Sequence, residues 1–334
     1  MGPKPLSEIP YDTLALLRLH VYAVGYDKQG ESILVVVAEG EKALYTIVTD
    51  CYEGDENYNH VMHILKEDWG AAPVNIFVWT HPHEDHSVGI AHLLDTHDNK
   101  AAAHVFGPVN VVDASGCQEI KSVATDAYNY LQGKYNRGRR NGYHFVGYDP
   151  FAGEEIFRVK FNGRDEESAP FYMELAILAP HRCLAGRFMD SPATRDLNEV
   201  SVAYMLTVCG LSLLMSGDMP NASIRKIDNG WWKHVDYVKL PHHASKGANL
   251  LAKKLVMNTQ PSPEGVTTVY RTNGNDLPHM PTVGEYRKQL ANVYCTGPEP
   301  ANASPARYGC VHSIYNLETA SLEKVDLHAN AYKF

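Results

Sequence analysis

The sequence predicts an α/β protein folded as a four-layer αββα sandwich. Two observations carry the prediction. Residues 14–50 read as a β-meander, whereas strands alternate with amphipathic helices from residue 59 onward. That order suits two sheets packed face to face with helices on the outside. In addition, a loop dense in metal-ligating side chains follows an apolar strand, and its place at a strand's carboxyl end fits the same architecture.

Composition bounds the reading before any motif does. Of 334 residues, 44% are hydrophobic and 21% charged, the balance of an ordinary globular protein. The length admits two domains, but α/β sandwiches of this size fold as one, and a single domain over 1–334 is expected. No apolar run reaches the length of a membrane span, and residues 1–10 hold three prolines and no hydrophobic signal core. The six cysteines are scattered without a Cys-x-x-Cys pair, which reads as reduced thiols and a cytoplasmic protein. A net charge of −9 argues against broad electrostatic capture of nucleic acid, although bound divalent cations would reverse the sign locally.

The opening strands are read at 19–25, 33–38 and 43–48, with Gly30 and Gly40 as turn residues. Residues 59–69 form a helix with Val61, Ile64, Leu65 and Trp69 on one face. The apolar run 74–79 is a buried strand of the kind found in parallel sheets. After Thr80 come His81, His83, Asp85 and His86, four potential metal ligands within six residues. Pro82 biases His81 toward extended backbone, where the side-chain period of two points His81 and His83 the same way, toward one cation. Asp85 and His86 sit at the mouth of an amphipathic segment, 87–94, where the chain turns helical, and suit a second cation.

Residues 101–106 are the next strand and 118–131 a helix. A turn-rich loop is expected over 133–147, carrying Lys134, Arg137, Arg139 and Arg140. It is either a solvated loop or a flap that meets an anionic substrate, through arginines suited to phosphate. Tyr128, Tyr130, Tyr135 and Tyr143 are candidates to stack on a base. Strand 171–178 leads into Ala179-Pro180-His181 and a polar loop through Asp190, Asp196 and Asn198 to Ser201. A hairpin, 202–208 with 211–215 around Gly210, delivers Ser216-Gly217-Asp218. Asp218 there either caps the following helix or bridges two cations about 3.5–4 Å apart. Strand 237–240 ends in Pro241-His242-His243-Ala244-Ser245-Lys246. In extended chain the two histidines face opposite ways, so one binds metal while the other orients a ligand or carries a proton. Lys246 is either a surface lysine or a phosphate contact.

The motif His-x-His-x-Asp-His in this context resembles the metallo-β-lactamase superfamily. Val24-Gly25, Ile47-Val48-Thr49-Asp50, Leu178-Ala179-Pro180, Asn198-Glu199-x-Ser201, Leu214-x-Ser216-Gly217-Asp218 and the run from Lys239 to Lys246 follow the order of its ComEC-type branch. So do Asn273-Gly274-Asn275 with His279-x-Pro281, and Val293-Tyr294 before Thr296-Gly297. The branch carries a glycine where this chain has Ala244, and His-Pro where it has His279-Met280-Pro281. Residues 107–170 are longer than the branch and unlike it, as an insertion or flap would be.

The resemblance implies the metallo-β-lactamase type of αββα sandwich and two divalent metal ions, zinc or manganese. His81 and His83 would hold one, and Asp85, His86 and His243 or His242 the other, with Asp218 bridging. A further histidine usually completes the first site. Here His181 competes for that place with Asp190, Asp196 and Asn198, and an oxygen ligand would favour manganese. Asp85 is also a candidate proton acceptor, Ser245 and Lys246 candidate substrate contacts, and His279 with Lys246 candidates to protonate or steady a leaving group. The implied reaction is hydrolysis of a phosphodiester, in a nucleic acid or a nucleotide, by a stand-alone soluble relative without membrane spans. A lactone, thioester or phosphocholine ester on the same fold, or a non-catalytic metal-binding protein acting through partners, are the rival expectations.

Overall fold

Strict alternation along the early strands gives each two usable faces, and both are apolar. In the computed structural model, which describes residues 5–54, 57–97, 103–116, 120, 124–141, 145–153, 156–164, 169–191, 196–255, 263–272, 274–298 and 306–334, those faces become two different cores. The first half of the chain runs β1 (Ser7–Tyr11), β2 (Leu17–Tyr26), β3 (Glu31–Glu39), β4 (Lys42–Thr49), α1 (His60–Glu67), β5 (Ile76–Val78), α2 (Ile90–Thr96), β6 (Ala103–Phe106), α3 (Val109–Ser115), α4 (Thr125–Asn141) and β7 (Phe145–Tyr148). The second runs β8 (Ile156–Gly163), β9 (Phe171–Ala179), α5 (Arg182–Asp190), β10 (Ala203–Val208), β11 (Leu211–Met215), α6 (Asn221–Ile224), β12 (Tyr237–Lys239), α7 (Leu250–Leu255), β13 (Glu264–Thr267), α8 (Met280–Tyr286), β14 (Asn292–Cys295), β15 (Tyr308–Asn316), β16 (Ser321–Ala329) and β17 (Tyr332–Lys333).

Among the described residues, one sheet orders its strands β16-β15-β2-β3-β4-β5-β6-β7 and the other β1-β8-β9-β10-β11-β12-β13-β14-β17. Leu19, Val21, Ile33, Val35 and Ile47 of the first sheet meet Leu175, Ile177, Tyr204, Leu206 and Leu213 of the second in a buried core between the sheets. The alternate residues Tyr22, Val24, Leu34, Val36 and Phe77 face α1–α5. Leu178, Met205, Leu214 and Val238 face α6–α8 on the far side. The result is the expected four-layer αββα sandwich, because period-two strands with two apolar faces can only be buried between two further layers.

The strands read at 19–25, 33–38, 43–48, 171–178 and 211–215 all form, each within a residue or two of the expected ends. Helix α1 buries Val61, Ile64 and Leu65, and Asn59 caps it by accepting from the Met62 amide. Three expectations fail. The turn-rich loop at 133–147 is instead the end of α4, followed by β7. Gly133 and Gly138 cost a helix about 1 kcal/mol each, but Ala127, Tyr128 and Leu131 anchor α4 in the core. The polar loop expected after His181 is helical as α5, because Leu184, Ala185 and Phe188 are buried. The helix expected from Ser87 begins only at Ile90, behind Gly89 at φ 94° and a 3-10 turn, Glu84–His86.

Strands β15 and β16 are not among the strands expected from the sequence. They form an antiparallel hairpin, and β15 pairs with β2 along nine residues, so the end of the chain closes the sheet beside its beginning. Among the described residues, no helix is long and apolar enough to cross a membrane.

Candidate metal centre

Every loop that carries a proposed ligand leaves its strand at the same edge of the sandwich. Asp50 follows β4, His81 and His83 follow β5, Asp218 follows β11 and His243 follows β12. Parallel neighbours β4-β5 and β11-β12 point their carboxyl ends the same way, which is where α/β sheets gather functional side chains. The two edges are joined by the Val202 amide donating to the Thr80 carbonyl at 2.8 Å. Gly217 sits between them at φ 48°, where a Cβ would come 2.6 Å from Ser201 Oγ and 2.9 Å from the Val202 carbonyl, so only glycine lets Asp218 approach.

The loop after β5 is held from behind. Trp79 Nε1 donates to Ser87 Oγ at 3.0 Å, and Ser87 Oγ donates to the His83 carbonyl at 2.5 Å. Four side chains then converge. His86 Nε2 lies 3.3 Å from Asp85 Oδ2 and 3.6 Å from Asp218 Oδ1. His243 Nε2 lies 3.1 Å from Asp85 Oδ2 and 3.4 Å from Asp218 Oδ2. All four are buried, and His86 Nε2 and Asp218 Oδ1 have no hydrogen-bond partner among the described residues. Fully buried polar atoms left without a partner are costly, and a cation placed between these ligand atoms would satisfy them.

The far nitrogen of each imidazole is pinned. His86 Nδ1 donates to Asp50 Oδ2 at 2.7 Å. Asp50 also accepts from the Thr80 amide and the Thr80 hydroxyl, each at 2.7 Å. That hydroxyl has one proton, so toward His81 Nδ1, 2.9 Å away, it acts as acceptor. His243 Nδ1 meets Thr268 Oγ1 at 2.7 Å, and Thr268 donates to Glu31 Oε2 at 2.6 Å, where Lys239 Nζ also pairs at 2.6 Å. Each ring thereby turns Nε2 toward the centre, where its lone pair would bind a cation once any proton on it has left, the arrangement of a metal-ligating histidine held by an outer partner. His81 Nε2 and His83 Nδ1 face each other at 2.8 Å, the two nitrogens that would share a further cation. The donor set therefore fits divalent metal.

Electrostatics point the same way. Burial alone would lift the Asp85 and Asp218 carboxyls, but His86 and His243 outweigh it and hold both well below the usual carboxylate range. Burial would likewise discharge His86, yet Asp85, Asp218 and Asp50 together raise it well above an ordinary imidazole. The proton on His86 balances the two carboxylates, and metal binding would release it. Burial pushes His81 and His83 down, so both are neutral and ready to ligate. Burial lifts Asp50, opposed by His86 and Thr80.

No family model matches the chain, and no curated protein matches it. Among solved structures it is similar to a metallo-β-lactamase from Staphylococcus aureus subsp. aureus COL, at 13% identity over 85% of this chain, with a TM-score of 0.30. The match spans 57% of that protein's length.

Residues 242–244 correct the sequence reading. They are not extended: His242, His243 and Ala244 stand at φ 50°, 48° and 55°, three consecutive non-glycine residues in the left-handed region. The strained turn brings His243 into the cluster, while His242 Nε2 lies 3.4 Å from Asn198 Nδ2. Asn198 is buried with Oδ1 unpartnered, and Asp196 lies near enough to His83 to favour its charged form. His181 instead caps α5 by accepting from the Cys183 amide at 3.3 Å, and Asp190 is exposed at that helix's other end, so neither is drawn to the centre. Ser245 is buried beside His243 with its hydroxyl unpartnered, whereas Lys246 is exposed. His279 stands at the N-terminal end of α8, its Nδ1 2.9 Å from the Thr282 side-chain Oγ1.

Of the residues named for the flap, Tyr128, Tyr130 and Lys134 can be placed. Lys134 pairs with Asp95 at 3.5 Å and lies over the Tyr130 ring. Tyr128 is buried and donates to Asp113, so it cannot stack on a substrate. The side chains of Arg137, Arg139, Arg140, Tyr135 and Tyr143 lie outside the described residues, as does Asn273.

Asp50, Thr80, Thr268, Glu31 and Lys239 were given no role from sequence. One signal was available for Lys239: a lysine inside the apolar run Tyr237-Val238-Lys239-Leu240 must be paired if it is buried.

Proposed function

We propose that the chain is a metal-dependent hydrolase that cleaves a phosphodiester, a relative of the ComEC-type branch. The observation that supports this most is the convergence of His86, His243, Asp85 and Asp218, with Nδ1 of both histidines pinned and two buried atoms orphaned. In this reading Asp85, His86 and His243 would hold one cation and His81 and His83 another, with Asp218 placed to serve both. Asn198 or Asp196 completes the first set. The cations, zinc or manganese, supply Lewis acidity and acidify water near the substrate.

The chain's own groups do the rest. Asp50 and the Thr268–Glu31–Lys239 chain keep the His86 and His243 lone pairs aimed inward. Asp85 stays charged, which suits a ligand better than a proton acceptor. His242 Nδ1 and Ser245 Oγ are buried polar atoms with no partner among the described residues, placed to contact substrate. Lys246 is assigned to the charge on the phosphoryl oxygens and His279 to the leaving group.

The test is kcat/KM for bis-p-nitrophenyl phosphate, a lactone and a thioester, with zinc and with manganese, alongside elemental analysis. At least two metals per chain and preferential phosphodiester cleavage are expected. Lys246→Ala should slow that cleavage by roughly ten- to a thousandfold, the span of a lost charge-stabilising donor. Faster lactone or thioester hydrolysis, indifferent to Lys246, would replace the phosphodiesterase reading with an acyl hydrolase.

A further inference from the structure

Among the described residues, a second set of ligating side chains converges outside the candidate centre. His312 on β15 and Asp326 and His328 on β16 place their ligand atoms within 4.8 Å of one another. The register explains why. His312 stands directly opposite Asp326, and His328 is two residues further along β16. The period of two keeps Asp326 and His328 on one face, and opposed residues on antiparallel strands have Cβ atoms about 4.5–5.5 Å apart. Two ligands from one strand and a third from its neighbour thus face one point without any loop to order them.

The middle ligand is fixed in orientation. On its other side His312 is paired with Tyr22, whose ring stacks on the imidazole at 3.8 Å and 13°. His20 Nδ1 lies 2.9 Å from His312 Nε2, so His20 engages one ring nitrogen and leaves the other for a ligand bond. His20 is itself braced edge-on by Trp69, 4.8 Å between centroids. Burial, with help from His20 and His328, presses His312 down to about 3, and a neutral imidazole is the ligating form. One group competes. Lys324 Nζ lies 2.9 Å from Asp326 Oδ1, but the lysine side chain is 63% exposed and can swing away when a stronger cation arrives.

We infer that His312, Asp326 and His328 form a mononuclear site for a first-row divalent cation of the zinc class, which clips the edge strand β16 to β15. Two imidazoles and a carboxylate suit zinc and leave a fourth position for water. The clip has an evident use: β16 ends the sheet, and residues 321–324 and 327–329 are exposed, so little packing holds it.

The experiment compares the metal-free full chain with His328→Ala and Asp326→Asn, titrated calorimetrically with zinc. His328 is exposed and Asp326 borders solvent, so neither change threatens folding. Wild type should take up one equivalent more than either variant, with hydrolytic activity unchanged among the three. Zinc should also slow amide exchange over residues 308–329 in wild type and not in the variants. His20→Gln should keep the extra equivalent but bind it roughly 10–100-fold more weakly. Equal zinc uptake by wild type and both variants would overturn the site and leave the proposed hydrolase reading untouched.

Discussion

Replacing Asp50 by asparagine changes no shape, yet it should disable the candidate centre through two imidazoles at once. All three neighbours of this carboxylate are donors: the Thr80 amide on Oδ1, and the Thr80 hydroxyl with His86 Nδ1 on Oδ2. An amide must place its NH2 on one side. It cannot face the Thr80 N–H, which has no alternative role, so it takes the Oδ2 position. His86 must then accept at Nδ1 and carry its proton on Nε2, the atom aimed at Asp85 and Asp218. Thr80 Oγ1 accepts from the new NH2 and turns its proton toward His81 Nδ1, which moves the His81 proton to Nε2 as well. Loss of one outer partner costs about 10–100-fold in metal affinity. Two rings on one network do not add independently, so a combined loss of about 100- to 1,000-fold is expected. Zinc affinity by competition with a chromophoric chelator measures it, with circular dichroism to confirm an unchanged fold. Affinity within threefold of wild type would refute the tautomer argument, since no proton could then have moved to Nε2.

Two further outcomes follow. Ala244→Gly should leave activity intact and change stability by between zero and about +1 kcal/mol, because relief of the left-handed strain at φ 55° is offset by added freedom of the unfolded chain; a thermal melt that drops by several degrees would contradict it. With a chelator present, stability should fall as pH drops below about 6.5. Burial holds His20 near 4 and His312 near 3, so between those values and 6.5 the unfolded chain binds protons that the folded chain refuses; the contribution is full above that window and lost downward through it. Melts at pH 7.5 and pH 5 check the sign, and His20→Gln should flatten the slope.

The candidate ligands were legible in the chain, because a strand ending in His81-x-His83-x-Asp85-His86 confines those side chains within a few ångströms whatever the rest of the fold does. The two-faced alternation of 19–25 and 33–38 likewise required layers on both sides. These are local facts, set by backbone period and spacing. What they could not decide is everything that depends on a residue far away in sequence. His243 rather than His242 enters the cluster because residues 242–244 turn left-handed, a conformation no propensity favours for histidine or alanine and that only the surrounding contacts enforce. Residues 133–141 are helical because α4 is anchored in a core built by distant strands, which outweighs two glycines. The hairpin of β15 and β16 pairs with β2 across some 290 residues, and only that pairing brings His20 against His312. Thr268 and Glu31 carry no motif, and the motif that ends in Asp50 does not disclose its role, since a hydrogen bond to the back of an imidazole needs only one oxygen at about 2.7–3.0 Å, and only the packed sheets determine which oxygen arrives there.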